Sequence, residues 1–149
     1  MKKDFVIRGQ TASGETEILE FGGHKEGYAY KLIEFQVYPS ELANASGEYA
    51  ATLTAGKTAI APITGINFSN EALIGTTYLT VATSPAAGIF GPVTVINDTF
   101  LITQNLILMV QEANSSALCN WQCRFEAVLM TDSQAAVTNF KQFLISDGS

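Results

Sequence analysis

Residues that could carry out catalysis are few in this chain, and their spacing gives little support for an active site. The single histidine, His24, lies in a glycine-rich stretch where Glu26, two residues away, is the only nearby acid. A catalytic histidine needs a nucleophile or an orienting carboxylate within hydrogen-bonding distance. An acid two residues away in a turn is a weak candidate for that role. We therefore interpret His24 as an exposed loop residue.

The two cysteines, Cys119 and Cys123, are four residues apart in a stretch that alternates apolar and polar side chains. On an extended strand such residues lie about 13 Å apart. A disulfide requires Cα atoms within roughly 7 Å, and a metal ion would need both thiolates at one point. We predict that both cysteines are small buried apolar residues, with neither a disulfide nor a metal between them.

Acidic pairs such as Glu15 with Glu17, or Asp4 with Glu20, are expected on surface strands and turns, as in any acidic β-protein. The sequence has no glycine-rich phosphate loop, no nucleophile elbow and no EF-hand calcium loop. It therefore predicts no catalytic, cofactor-binding or metal site, and a protein that is not an enzyme.

Length and charge limit the function classes further. The chain has 149 residues, enough for a single domain over 1–149, with 8 basic and 14 acidic residues and a net charge of −6. No basic cluster extends beyond Lys2-Lys3, so direct binding of nucleic acid is not expected. The longest strongly apolar run, Leu106–Val110, is far short of the ~20 residues of a membrane-spanning helix. The N-terminus lacks the apolar core of a signal peptide, which predicts a soluble protein made without one.

The fraction of charged residues is 15%, against about 25% in ordinary soluble domains. One interpretation is that another subunit covers part of the surface. The other is a β-protein that is simply rich in threonine, serine and alanine. The composition alone leaves both open.

The most regular stretch, Cys119–Met130, contains the only tryptophan and both cysteines. The apolar positions are Cys119, Trp121, Cys123, Phe125, Ala127 and Leu129, and the polar ones are Asn120, Gln122, Arg124 and Glu126. A period of two predicts a strand with one buried and one solvated face. Its composition predicts a position in the middle of a sheet.

Similar but weaker patterns predict further strands, about eight in all. They are Lys3–Arg8, Glu15–Phe21, Tyr28–Tyr38, Glu48–Thr54, Thr76–Thr83, Val93–Ile96 and Thr99–Val110. We expect turns at Gly9 with Thr11–Gly14, at Gly22–Gly27 and at Asn97-Asp98, a polar connection over Ser40–Gly47, and a loop over Ser84–Gly91 that ends at Pro92. The irregular segment Ala55–Gly75 is long enough to suggest a functional or interface-forming role.

Near the C-terminus, spacings of three and four predict a helix from Ser133 to about Gln142, with a ninth strand over Asn139–Ile145 as the alternative. Since long helical crossovers are missing, the strands should pair antiparallel. The expected fold is an all-β, antiparallel β-sandwich, with a jelly roll as the leading version. An immunoglobulin-type sandwich fits less well, because its core disulfide joins different strands.

Tyr28, Tyr30 and Tyr38 could lie on one face of their strand. Aromatic strips of this kind stack on sugars or anchor protein interfaces, although many are only the rim of a core. A carbohydrate- or receptor-binding β-sandwich that uses Tyr28, Tyr30 and Trp121 is therefore the alternative function to the one below.

Four stretches carry a resemblance to a known class of proteins: Gly27–Pro39, Asn97–Gln104, Asn120–Phe125 and the terminal Ile145–Ser149. In these stretches the chain resembles small virion structural proteins of environmental, especially marine, bacteriophages. The resemblance implies a capsid or capsid-associated jelly-roll subunit located in the virion, and it transfers no functional residues. The implied partners are copies of the chain itself, as a homo-oligomer, or other shell proteins. The irregular segment and the two termini are the expected contact elements.

Overall fold

The computed structural model describes residues 3–21, 28–40, 47–56, 58–81, 90–113 and 117–130. In these ranges the chain forms only β-strands, turns and irregular segments. The strands are β1 Lys3–Ala12, β2 Thr16–Leu19, β3 Tyr28–Pro39, β4 Gly47–Ala55, β5 Leu73–Val81, β6 Phe90–Ile96, β7 Leu106–Glu112 and β8 Leu118–Leu129. The predicted C-terminal helix, its strand alternative, the turn at 22–27 and the central residues of the connections at 41–46 and 82–89 lie outside the described residues.

Two antiparallel sheets pack face to face as a β-sandwich, which confirms the predicted fold class. One sheet has three strands in the order β1-β8-β3, and the other has five in the order β2-β7-β4-β5-β6. The chain crosses between the sheets at the turn after β1. There Gly14 adopts φ of 86°, a left-handed conformation that glycine reaches without steric cost. Its N–H donates to the Val110 carbonyl at 2.7 Å and ties the turn to β7.

The central strand of the smaller sheet is β8, as the sequence predicts. β8 pairs with β1 along Lys3–Ala12 and with β3 along Tyr28–Pro39. Side chains at Cys119, Trp121, Cys123 and Phe125 are buried, and the polar ones between them are partly exposed. The indole Nε1 of Trp121 donates to Thr11 Oγ1 at 3.0 Å, so the one polar atom of this buried ring has a partner.

Aromatic rings fill part of the core next to β8. Phe125 contacts Phe21 and Phe5, with ring centroids 5.0 and 5.6 Å apart, and Tyr30 lies 5.4 Å from Phe5. These rings come from β1, β3, β8 and the segment after β2. The packing of these rings therefore joins three strands of one sheet to the segment after β2.

The predicted strand Thr99–Val110 is wrong over its first half. Only Leu106–Glu112 forms a strand, and the residues before it make a turn and a single bridge between Ile102 and Tyr30. Ile102 is fully buried although it lies outside any named strand. The apolar character of this stretch therefore reflects burial beside β3 rather than a continuous ladder.

Two residues predicted to lie outside strands, Gly9 and Pro92, lie inside them, for different reasons. Gly9, expected in a turn, is inside β1, where a Cβ atom would lie 2.9 Å from Cζ2 of Trp121. Glycine is needed there to make room for the indole ring. Pro92, expected to end a loop, is inside β6. β6 is the edge strand of its sheet, where proline is tolerated.

A hydrogen bond from a side chain to a backbone carbonyl joins the two sheets beside β6. Thr94 Oγ1 on β6 donates to the carbonyl of Phe35 on β3 at 3.0 Å. Its only proton is then used, so Thr77 Oγ1 on β5 must be the donor in the 2.9 Å contact between the two hydroxyls. β6 therefore belongs to the five-stranded sheet by backbone pairing. It is also hydrogen-bonded through Thr94 to β3, an edge strand of the three-stranded sheet.

Candidate functional site

The two thiols are free and buried, as the sequence predicts. Burial, with a smaller contribution from the Glu112 carboxylate, raises the pKa of Cys119 to about 11. Burial raises the pKa of Cys123 further. A thiol is nucleophilic as its thiolate, so neither cysteine is suited to act as a nucleophile near neutral pH.

We expect the native protein to react very slowly with a thiol reagent such as DTNB at pH 8. With a pKa of about 11, only about one Cys119 in a thousand is a thiolate at that pH, against roughly a quarter for an unperturbed cysteine. In guanidinium chloride both cysteines should react fully. A rapid reaction of one equivalent in the native protein would contradict this assignment.

The same shift has a consequence for stability. The folded-state pKa of Cys119 is raised above the unfolded one, so its contribution to stability is fully present below the unfolded value. That contribution is lost as the pH rises toward about 11.

A third side chain that could be reactive is Glu112, at the end of β7. It packs between β7 and β4. Its carboxylate is buried and contacts the position where a Cβ atom on Gly47 would lie. Burial first, then Glu112 and Cys119, raise the pKa of the Tyr49 hydroxyl. Within the described ranges, no three histidine, cysteine, aspartate or glutamate side chains cluster as metal ligands would. His24 lies outside those ranges.

The tyrosines of β3 do not all lie on one face of the strand, contrary to the prediction that Tyr28, Tyr30 and Tyr38 line up. β3 has a bulge at Ile33, because Leu32 pairs with Phe125 and Glu34 with the next residue, Arg124. The extra residue reverses which side chains point inward. Tyr30 therefore packs against the core, whereas Tyr38 is 53% exposed on the outer face. Trp121 is only 6% exposed, so it cannot offer a stacking face either.

Tyr38 instead borders an open depression of about 690 Å³ on the outer face of the three-stranded sheet. The other residues that line it are Arg8, Gly9, Gln10, Gln36, Asn120, Trp121 and Gln122. Gln10 Nε2 donates to Asn120 Oδ1 at 3.0 Å, and Asn120 Nδ2 donates to the Pro39 carbonyl at 3.4 Å. The result is a surface of amide groups with one exposed aromatic ring, that of Tyr38, and one charged side chain, that of Arg8.

On the opposite side of the molecule, the segment 58–72 lies over the outer face of the five-stranded sheet. Thr52 Oγ1 on β4 donates to the Ile60 carbonyl at 2.6 Å, and the N–H of Ile63 donates to Gln111 Oε1 on β7 at 3.2 Å. As a result Thr52 is fully buried although it points away from the core between the sheets. The segment is thus an ordered covering layer, which we call the outer segment.

Two asparagines shape the tip of the outer segment. Asn67 Oδ1 accepts from the Ser69 N–H at 3.0 Å, and Asn70 Oδ1 accepts from the Ala72 N–H at 2.9 Å. A backbone bond of 3.0 Å from the Asn70 N–H to the Asn67 carbonyl links the two turns. Between them Phe68 is 68% exposed. This short, hydrogen-bonded loop presents a phenyl ring to solvent at small conformational cost.

A scan of the sequence against protein-family models finds no match, and a search of curated proteins finds none either. In the part of the chain that the structure describes, no helix is long and apolar enough to cross a bilayer. What the molecule does must therefore be inferred from its own surfaces.

The sequence predicts that the irregular segment is a contact element, but it does not single out Phe68. The signal was present, because asparagines three positions apart are typical of consecutive side-chain-capped turns. The amide-lined depression was missed because it needs the pairing of β8 with both neighbours, which a single strand pattern does not reveal.

Proposed function

We propose that this protein is a structural subunit of a virus particle, a capsid or head-decoration protein, and that it acts through self-association and packing against neighbouring subunits. The observation that carries the proposal is the outer segment, where ordered turns hold Phe68 exposed. Aromatic side chains on rigid loops are typical centres of protein interfaces. Ile63 and Ile66 are also exposed on this segment and extend its apolar surface.

The order of the strands supports a jelly-roll version of the sandwich. A long antiparallel hairpin rolled into two sheets pairs the first strand with the eighth, the second with the seventh, the third with the sixth and the fourth with the fifth. Here β1 pairs with β8, β2 with β7 and β4 with β5. β3 and β6 contact each other through Thr94 and the Phe35 carbonyl. Jelly rolls occur in viral capsids and in lectins.

The interior also favours a packing role over a chemical one. The two thiols have pKa values well above neutral pH, and the Glu112 carboxylate is enclosed between β7 and β4. These three groups are buried and contribute to packing. The apolar area available for contact with another molecule lies on the exposed part of the chain.

Electron microscopy of purified, concentrated protein tests the virion role. We expect closed shells, rings or regular sheets with a uniform repeat, because capsid and decoration proteins associate through repeated, symmetric contacts. A field of separate monomers under all ionic strengths tried would contradict the proposal.

A second function, saccharide binding, is favoured by the depression beside Tyr38. Amide groups both donate and accept hydrogen bonds, which suits the hydroxyl groups of a sugar, and a tyrosine ring can cover the apolar face of a pyranose. Arg8 is the single charged residue in the lining, so a neutral sugar suits the site better than a strongly acidic one.

For this second function we expect Tyr38→Ala to weaken binding of a neutral oligosaccharide, such as maltopentaose or cellopentaose, at least about ten-fold, since stacking area is lost. Tyr38→Phe keeps the ring and should bind nearly as well as the natural protein. Tyr78→Ala removes an exposed tyrosine from the other sheet and serves as the matched control. Titration followed by NMR gives the comparison; equal affinity for Tyr38→Ala and the natural chain, or no binding by either, would remove this candidate.

A further inference from the structure

The outer long edge of the three-stranded sheet, formed by β1, has no partner strand among the described residues. β1 runs for ten residues, Lys3–Ala12, and pairs on one side with β8. In an antiparallel pair, every second residue of an edge strand turns its N–H and C=O away from the neighbour. Natural proteins usually protect such edges with short strands, bulges, proline or charged side chains. Of these devices the exposed part of β1 has only charges, Asp4 and Arg8. β1 is long and without proline, and its pairing with β8 is regular throughout.

The side chains of β1 on the core side are also incompletely covered. Phe5 and Ile7 pack against the core but keep partial exposure. In the facing sheet the edge strand is β2, which has only four residues, Thr16–Leu19. The longer edge therefore extends past the shorter one, and a strand added beside β1 would cover Phe5 and Ile7.

The charges on the outer face of β1 select one pairing register. Asp4, Val6 and Arg8 are exposed and alternate with Phe5 and Ile7. If two copies of β1 pair antiparallel about a two-fold axis at Val6, Asp4 of each copy lies opposite Arg8 of the other. In the same register Phe5 lies opposite Ile7 on the core side. A shift of two residues puts Arg8 opposite Val6 and loses both charge pairs.

We propose that two copies of this chain associate edge to edge through β1, centred on Val6, and form a continuous six-stranded sheet across a two-fold axis. This rests on the proposed function and names one of its contacts. The backbone groups of the edge supply the attraction, as in other strand-addition complexes. The two symmetric Asp4–Arg8 pairs set the register, and Val6, 38% exposed in the monomer, becomes the centre of the contact.

The test is to measure the dimerisation constant by sedimentation for two kinds of variant. One kind changes the charges at Asp4 and Arg8, and the other changes Val6 at the two-fold axis. Val6→Glu places two carboxylates opposite each other at the axis and should weaken dimerisation at least about ten-fold, whereas Val6→Thr, neutral and β-branched, should not. Asp4→Arg should weaken it about 2- to 30-fold, because both symmetric pairs become repulsive. The double swap, Asp4→Arg with Arg8→Asp, restores opposite charges and should return the constant to within about two-fold of the original.

Hydrogen exchange gives an independent measurement in the unaltered chain. The amides of β1 that point away from β8 should exchange more slowly at higher protein concentration. If the chain associates but Val6→Glu and the charge variants leave the dimer unchanged, the β1 contact is wrong while self-association stands. If the natural chain never associates, the β1 contact and the proposed function are both contradicted.

Discussion

Replacing Phe125 by alanine should lower the free energy of unfolding by about 3–5 kcal/mol, the usual cost of removing a buried aromatic side chain. Phe125 is fully buried at the centre of β8. It contacts rings that reach the core from β1 and from the segment after β2. The neighbours come from two separate parts of the chain, so the cavity cannot close by the movement of one strand. Urea unfolding followed by Trp121 fluorescence measures the change.

Leu129→Ala is the matched control, because it removes an apolar side chain from the same strand and the same side of it. Leu129 is 71% exposed, since it lies past the end of the core. We expect its unfolding free energy to stay within about 0.5 kcal/mol of the natural protein. Similar losses for the two variants would mean that β8 is not buried as described.

Replacing Phe68 by alanine should weaken self-association by about 2 kcal/mol or more, which is roughly thirty-fold in the dissociation constant. The ring is presented by two turns that remain after the substitution, because Asn67 and Asn70 form them. The effect should therefore appear in association and hardly in the stability of the subunit. Sedimentation velocity and urea unfolding of the same preparation separate the two.

The control for Phe68 is Ile18→Ala, which removes a comparably exposed apolar side chain from β2. It lies outside the outer segment and should leave association nearly unchanged. If both variants weaken association equally, general surface hydrophobicity rather than the Phe68 loop drives it. If neither does, the outer segment is not the contact surface.

The strands were largely predictable because their side chains alternate and turn residues separate them. β8 is the clearest case, since its buried positions from Cys119 to Phe125 follow a strict period of two. The antiparallel pairing and the sandwich follow from the absence of long helical crossovers in the sequence pattern. The burial of the two thiols was also predictable, because their spacing on a strand excludes a shared bond or metal.

What escaped prediction depends on contacts between distant residues. The bulge at Ile33 moves Tyr30 inward and Tyr38 outward, and nothing in the local sequence of β3 marks it. From the local sequence Gly9 is predicted to be a turn residue. In the structure it makes room for the ring of Trp121, which is more than one hundred positions away. Ile102 has the composition of a strand but is buried through a single bridge to Tyr30.

The two candidate surfaces also combine features that the local sequence predicts with features that depend on contacts between distant residues. The length and irregularity of the outer segment make it a candidate contact element, but the exposure of Phe68 depends on how the segment lies over β4 and β7. The depression beside Tyr38 combines residues from β1, β3 and β8, which only the register of all three strands brings together.

The average mass of the natural chain in solution, measured by sedimentation velocity over a wide concentration range, tests most directly whether contact between subunits is what this protein does. We predict that the mass rises with concentration toward a defined multiple of the subunit and that the rise is shifted to higher concentration by Phe68→Ala. A chain that keeps the mass of one subunit at every concentration would contradict the account.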